Sequence, residues 1–331
     1  MPAARVLLLA LIAQTGSATA LADTYPPDVV AVLSGENKNS TELSFVGRSG
    51  QVYIPQGQTW KRQHVGGIAA DVIGAVKTRR GLYALSSRAP LFKRVAGVWQ
   101  ATPLANRGYT AFSSHGAVVA IALGRHIYQL DKSGWSRFAT AARRVTALYP
   151  ATKTRVYVAT TRGRLRRTDG KSSTVIKNPL PTDDYVKLML GRTGGDLYGV
   201  TKAGVILHIA GTTATVLALD PSMAGLTVHA LGYGPKKAIY GVGMISAADG
   251  SKRSVIVEFK GQSVTEVAPL PALAADDRYS VVHTAKDGKL VVASFSGLVR
   301  IRAADGTWSE RRVSGDAPPA SAPASPPARS R

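Results

Sequence analysis

The chain has 331 residues, 45% of them hydrophobic, with 33 glycines and a formal net charge of +22 from 42 Lys and Arg against 20 Asp and Glu. This length and apolar content allow a sizeable core and exclude disorder throughout. The absence of cysteine excludes disulfides, thiolate metal sites, a cysteine nucleophile and a lipid on an N-terminal cysteine.

Residues 1–22 read as a secretory signal peptide. Arg5 precedes the apolar run from Val6 to Ala13, and small residues lead to Ala20-Leu21-Ala22, with cleavage expected after Ala22. That run is too short to cross a bilayer, which takes about 20 residues, and no later stretch is longer and as apolar. The expectation is an exported protein, periplasmic or extracellular, with no transmembrane segment.

Residues 23–314 carry a repeat. Pairs such as Leu82-Tyr83, Val118-Val119, Val156-Tyr157, Leu197-Tyr198, Ile239-Tyr240 and Leu290-Val291 recur, with Leu43-Ser44-Phe45 as a weaker first copy. The spacing is roughly 40 residues, in the range of solenoids and propellers. Before each copy lies another short apolar run, beginning with "DVVAVL" and "DVIGAV" and ending with "VHALGY" and "SVVHTA". A third and a fourth run follow, as in "GRLRRTD" then "STVIKN". No segment shows a sustained helical period, while β-branched and aromatic residues bounded by turn formers recur. Four strands per unit predict an all-β chain, a seven-bladed β-propeller of four-stranded antiparallel blades. The first unit is the weakest, and its opening strand would alternatively complete the last blade. Residues 315–331, dense in Pro, Ala and Ser, are expected to form a disordered tail.

Four strings mark the turns between third and fourth strands: Ala304-Asp305-Gly306-Thr307-Trp308, Gln56-Gly57-Gln58-Thr59-Trp60, Asp131-Lys132-Ser133-Gly134-Trp135 and Thr168-Asp169-Gly170. In these the chain resembles the Asp-box repeats of sialidase-like and photosystem-assembly-factor-like propellers. The resemblance implies a propeller architecture in which the Asp caps turn amides and the Trp packs between blades. It does not extend to sialidase chemistry: the string Tyr53-Ile54-Pro55 lacks the arginine that such a site would need.

No catalytic constellation stands out. None of the six histidines sits in a metal-ligand spacing, and no metal site or cofactor is expected. His229 and His283 fall on neighbouring innermost strands at different depths. Acids cluster in the links between blades, at Asp71, Asp183-Asp184, Asp220 and Asp276-Asp277, where oxygen ligation of a cation competes with plain turn formation.

Propeller topology places the first-to-second-strand turns on one face, including Arg79, Arg80, Arg155, Arg192, Lys236 and Lys237. The opposite face carries Arg48, Arg88, Arg125, Arg162, Lys202, Lys252 and Arg253, offset by the link aspartates. The first face is therefore the expected anion- or partner-binding surface, with arginines suited to bidentate contacts. The reading is a monomeric binding or scaffold module for an acidic protein or other polyanion, with nucleic acid an unspecific candidate because base-stacking aromatics are not interleaved with the basic residues. The rival is a propeller hydrolase or lyase acting on polysaccharide, built on Asp183, Asp184, Asp277 and His229. The arginine pair Arg166-Arg167 has no assigned role, and the excess of arginines in "VYVATTRGRLRRTDG" is part of a basic pattern shared by every hairpin.

Overall fold

A computed structural model describes residues 29–34, 43–48, 50–56, 59–63, 72–78, 81–86, 91–102, 104, 109–115, 118–192, 196–234, 236, 238–274, 277–285, 287–303 and 305–314. The expected signal peptide and tail lie outside them. The described residues belong to one compact unit, Pro26–Gly315.

That unit is built from short antiparallel meanders. The first comprises β1 (Val29–Ser34), β2 (Leu43–Gly47), β3 (Val52–Gln56) and β4 (Thr59–Gln63), and the second β5 (Val72–Thr78), β6 (Gly81–Ser86), β7 (Phe92–Val95) and β8 (Val98–Ala101). The third is β9 (Tyr109–His115), β10 (Val118–Leu123), β11 (His126–Asp131) and β12 (Gly134–Thr140); the fourth is β13 (Val145–Thr152), β14 (Arg155–Thr160), β15 (Arg164–Thr168) and β16 (Ser173–Ile176). The fifth is β17 (Val186–Gly191), β18 (Leu197–Thr201), β19 (Ile206–Ala210) and β20 (Thr213–Val216). Then come β21 (Leu226–Tyr233), β22 (Ile239–Ser246), β23 (Lys252–Lys260) and β24 (Ser263–Leu270), and last β25 (Tyr279–Thr284), β26 (Leu290–Ser294), β27 (Leu298–Arg302) and β28 (Trp308–Ser314).

The chain is an all-β propeller of four-stranded antiparallel units. Where seven separate blades were expected, five meanders form sheets of their own, and the first and last share one eight-stranded sheet. They join through parallel pairing of β28 with β4, Val313 opposite Trp60 and Ser314 opposite Lys61. The opening strand β1 pairs with β2, so it belongs to its own meander and does not complete the last one. The outermost strands are the ones that meet, and the pairing removes two exposed edges.

Stacking of meanders explains the sequence pattern. Second strands are buried along their whole length in β18 and β26, because a neighbouring meander covers each face, so they read as continuous apolar runs. Innermost strands alternate instead: in β9, Tyr109, Ala111 and Ser113 are buried while Thr110, Phe112 and Ser114 are half-exposed toward the axis. Each apolar cluster unites consecutive meanders. Tyr149, Tyr157 and Leu165 pack with Val186, Leu197 and Leu207, and Val29, Phe45 and Trp60 pack with Val291, Val299 and Val313 across the closure. Burying each such Val or Leu contributes about 1.5–3 kcal/mol. Trp60 also donates its indole N–H to the Leu43 carbonyl at 2.7 Å. At Gly232 a Cβ would lie 1.9 Å from the Val282 carbonyl oxygen, so only glycine lets β21 approach β25 this closely.

Candidate functional site

Innermost strands end on the face that carries the first-to-second-strand turns. Three of the six expected binding residues are placed there. Arg155 is exposed at the start of β14, opposite Thr152. Arg192 is half-buried just after β17; its backbone N–H donates to the Asp196 carbonyl at 2.8 Å, and its buried side-chain Nε has no hydrogen-bond partner. Lys236 is exposed between β21 and β22 with φ +52°. Arg79, Arg80 and Lys237 lie outside the described residues.

Beside these turns lies a hydrogen-bonded group that sequence reading missed. The hydroxyls of Tyr149 and Tyr233 both donate to the Gly191 carbonyl, at 2.7 and 2.8 Å. His115 Nδ1 lies 2.9 Å from the Tyr233 hydroxyl, which has already given its proton to Gly191 and so accepts from an Nδ1–H tautomer. The Thr284 hydroxyl donates to the Tyr233 carbonyl at 2.8 Å. Burial is the main cause that pushes both tyrosine hydroxyls above their ordinary pKa, so they stay neutral donors. The group ties β9, β13, β17, β21 and β25 together. Its only trace in the sequence is a tyrosine near the end of two innermost runs, "VTALYP" and "VHALGY".

Behind it lies a cavity of about 390 Å³ along the axis, lined by Phe112, Ser114, Thr146, Leu188, Leu231 and His283 among others. His229 lines a separate cavity with Lys187, Arg278 and Phe295, where innermost strands begin. The two histidines therefore line different cavities, in keeping with the different depths expected of them. Burial lowers the pKa of both, and for His229 the nearby Arg278 and Lys187 add to it.

The carboxylates of the hydrolase reading belong to two different links, and those of Asp184 and Asp277 are engaged by their own turns. Asp184 and Asp277 precede β17 and β25, with the meander beginning at β21 between them. Asp184 Oδ1 accepts the N–H of Tyr185 at 2.8 Å and of Ala203 at 3.2 Å. Asp277 Oδ1 accepts the N–H of Arg278 at 2.8 Å and of Ser296 at 3.0 Å, and its Oδ2 accepts the Ser296 hydroxyl at 2.5 Å. Asp220 accepts from the Ser222 N–H at 2.9 Å and caps the 3₁₀ turn Pro221–Met223. Among the described residues no group of three or more His, Asp or Glu side chains could hold a metal ion. Asp184, Asp220 and Asp277 thus serve their own turns, by the same physics that makes Asp a turn former, while Asp71 and Asp276 lie outside the described residues.

Aspartates at the third-to-fourth-strand turns behave alike. Asp131 accepts from Ser133 and Ser136, Asp169 from Lys171 and Ser172, and Asp305 from Thr307. Hydrogen bonding, led by the Ser133 hydroxyl for Asp131 and the Ser172 N–H for Asp169, lowers each of those two carboxyls to about 2. Arg166, unassigned from sequence, donates to the Ser173 hydroxyl across β15 and β16. Among the described residues no helix is long and apolar enough to cross a membrane.

No protein-family model and no curated protein sequence matches the chain. Solved structures do match in fold. The U3-55K structure superposes with a TM-score of 0.61 at 8% identity, covering 80% of this chain and 88% of that one. The WD40 β-propeller domain of Doa1 gives 0.61 at 13% identity, covering 86% and 94%. YCF48 from Cyanidioschyzon merolae gives 0.59 at 11% identity, covering 83% and 95%. At such identities the likeness is one of fold alone, and the fold it shows is the β-propeller.

Proposed function

We propose that this protein is an exported, monomeric seven-bladed propeller that acts as a binding or scaffold module for an acidic partner. Each four-strand meander counts as one blade, and the Asp-containing turns are degenerate Asp-box repeats. The single observation that carries the reading is how the carboxylates are used. Asp131, Asp169, Asp184, Asp220, Asp249, Asp277 and Asp305 each accept turn N–H groups of the chain itself. The Lys/Arg pairs with carboxylates among the described residues are Arg253–Glu266, Lys289–Asp287 and Arg300–Glu310. Among the described residues the turn side chains of Arg125, Arg155, Arg162 and Lys202 are exposed and pair with no carboxylate, which leaves them for an external anion. Folds do not dictate function, so the support is this charge arrangement and not the likeness to other propellers.

The test is binding of the full chain to labelled polyglutamate and to a neutral polymer across a salt series. Saturable binding to polyglutamate, with weaker binding to the neutral polymer, is expected at about 0.1 M salt, where the Debye length is about 10 Å. Equal binding to both polymers would sink the proposal.

A further inference from the structure

The turn between second and third strands is built in the same way in three meanders, and one of the three has exchanged its chemistry. In each, the first turn residue donates its N–H to a carbonyl of the preceding link: Lys202 to Tyr185 at 2.9 Å, Phe295 to Arg278 at 2.8 Å and Thr161 to Arg144 at 2.9 Å. A buried hydroxyl residue opens each turn, Thr201, Ser294 and Thr160. Glycine with positive φ follows at Gly204, Gly297 and Gly163. These bonds align the three turns residue for residue.

The alignment puts Arg143 where the other two links have Asp184 and Asp277, the carboxylates that accept the N–H of Ala203 and Ser296, 19 residues on. It puts Arg162 where they have Ala203 and Ser296, and exposed Arg164 where they have half-buried Val205 and buried Leu298. A carboxylate, a small residue and an apolar one in each sister turn thus correspond to three arginines here. The backbone differs too. The two sister turns close with a glycine N–H donating to Thr201 or Ser294 at 3.1 Å, whereas Arg162 stands at φ +67° beside Gly163 at φ +65°. That conformation is costly for a residue with a Cβ, and such strain clusters at functional sites.

Around these residues lies a cavity of about 560 Å³, lined by Arg143, Arg162, Arg164, Asp183 and Tyr185 with two threonines. Among the described residues none of the three guanidinium groups has an ion pair or a hydrogen-bond acceptor, and Asp183 lines the cavity without pairing to any of them. This is an open cavity with three arginines in its lining, at a turn whose link carries Arg143 where the sister links carry an aspartate.

We infer that the cavity takes that carboxylate from outside, as an aspartate or glutamate side chain on an acidic peptide segment of a partner protein. The sister turns hold a carboxylate at this place, and guanidinium forks suit a carboxylate bidentately. The volume exceeds what one carboxylate fills and lies in the range of small-ligand sites, which leaves room for the peptide main chain against Tyr185. The inference rests on the acidic-partner reading and deepens it: it places the site on the face opposite Arg155 and Arg192, and it gives the arginine excess of the β14–β15 hairpin a role.

The experiment is fluorescence anisotropy with a labelled hexaglutamate peptide and the full chain. Arg143→Asp restores the sister carboxylate, so it is expected to weaken binding by about tenfold or more without lowering the unfolding midpoint. Arg125→Asp makes the same charge change at an exposed turn of the same face and is expected to cost less than about threefold. Arg164→Gln, at an exposed position, keeps the test decisive if Arg143→Asp fails to fold, and a several-fold weakening is expected. Equal losses from the Arg143 and Arg125 changes would overturn the pocket while leaving a general attraction to acidic partners standing. Absence of binding by the unaltered chain would overturn both. Displacement of the peptide by inorganic phosphate, at concentrations where acetate has no effect, would overturn the choice of a carboxylate ligand.

Discussion

The meanders β13–β16 and β17–β20 are neighbours with the same connectivity, the same link-to-turn hydrogen bond and the same buried threonine at the head of the turn. They differ in who supplies the charge at that turn. Asp184 gives β17–β20 its own acceptor, held 6% exposed, and its Oδ1 takes the N–H of Ala203. Arg143 gives β13–β16 a donor where an acceptor belongs. The difference teaches that a repeat fold tolerates the loss of one local cap, since packing between meanders carries most of the stability, and that the released position becomes a place where a ligand can do what the chain no longer does.

The largest expected effect tests the closed side of that comparison. Asp184→Ala strands the N–H groups of Tyr185 and Ala203, and Asp277→Ala strands those of Arg278 and Ser296; each should cost about 1–3 kcal/mol by urea unfolding. Arg143→Ala, at the matching position, should stay within about 0.5 kcal/mol. Similar losses at all three positions would show that Arg143 is as structural as the aspartates, and the comparison would break.

A smaller effect should run the other way. The double change Arg143→Asp with Arg162→Ser introduces the Asp277–Ser296 residue pair and should gain about 1 kcal/mol, through the new hydrogen bond. A loss of stability would mean that the two turns do not share a geometry after all.

The channel histidines provide a pH-dependent control away from the arginine cavity. His229 and His283 have folded pKa values below their unfolded value of about 6.5, chiefly from burial. The folded state therefore binds fewer protons, and stability that is present above the unfolded value is lost as pH falls through it. The urea midpoint should drop between pH 7 and 5 equally in the unaltered chain and in Arg143→Asp, and His229→Gln should flatten part of the slope. No change in slope for His229→Gln would remove that residue from the account.

The smallest effect per site belongs to the third-to-fourth-strand turns, where β13–β16 does keep its aspartate. Asp131 and Asp169 have folded values near 2 from hydrogen bonding, against about 3.9 unfolded. Their contribution is present above the unfolded value and is lost as pH falls through the folded one, so midpoints should decline from about pH 4 to pH 2. Asp169→Asn should shrink that decline, and an unchanged acid profile would show that the cap does not couple to folding.

Much of the fold was legible because strand periodicity and turn residues are local signals. The innermost runs ending in "VTALYP" and "VHALGY" became β13 and β21, and Val156-Tyr157 and Leu197-Tyr198 fell on second strands, buried on both faces as their unbroken apolar character implied. Half of the expected basic face was placed, at Arg155, Arg192 and Lys236. The Tyr149–Tyr233–Gly191 group was not legible, because its members come from three innermost strands and a tyrosine at a strand end reads as core. Of the two readings offered for the link aspartates, turn formation describes Asp184, Asp220 and Asp277, while the precise partners, 19 residues away for Asp184 and Asp277, depend on the return of the chain after an intervening strand.

Sequence alone determined the class of fold and its repeat unit, since alternation, β-branched runs and glycine turns act over a few residues and point to strands wherever they occur. The tertiary structure decided how the ring closes, through outer strands β28 and β4 and not through the first strand. It also decided which of many similar arginines stand together. Charge counts are additive along a chain, but whether a charge is answered depends on distances of a few ångströms between segments far apart in sequence. Only the folded turns show Arg143 in the place of an aspartate.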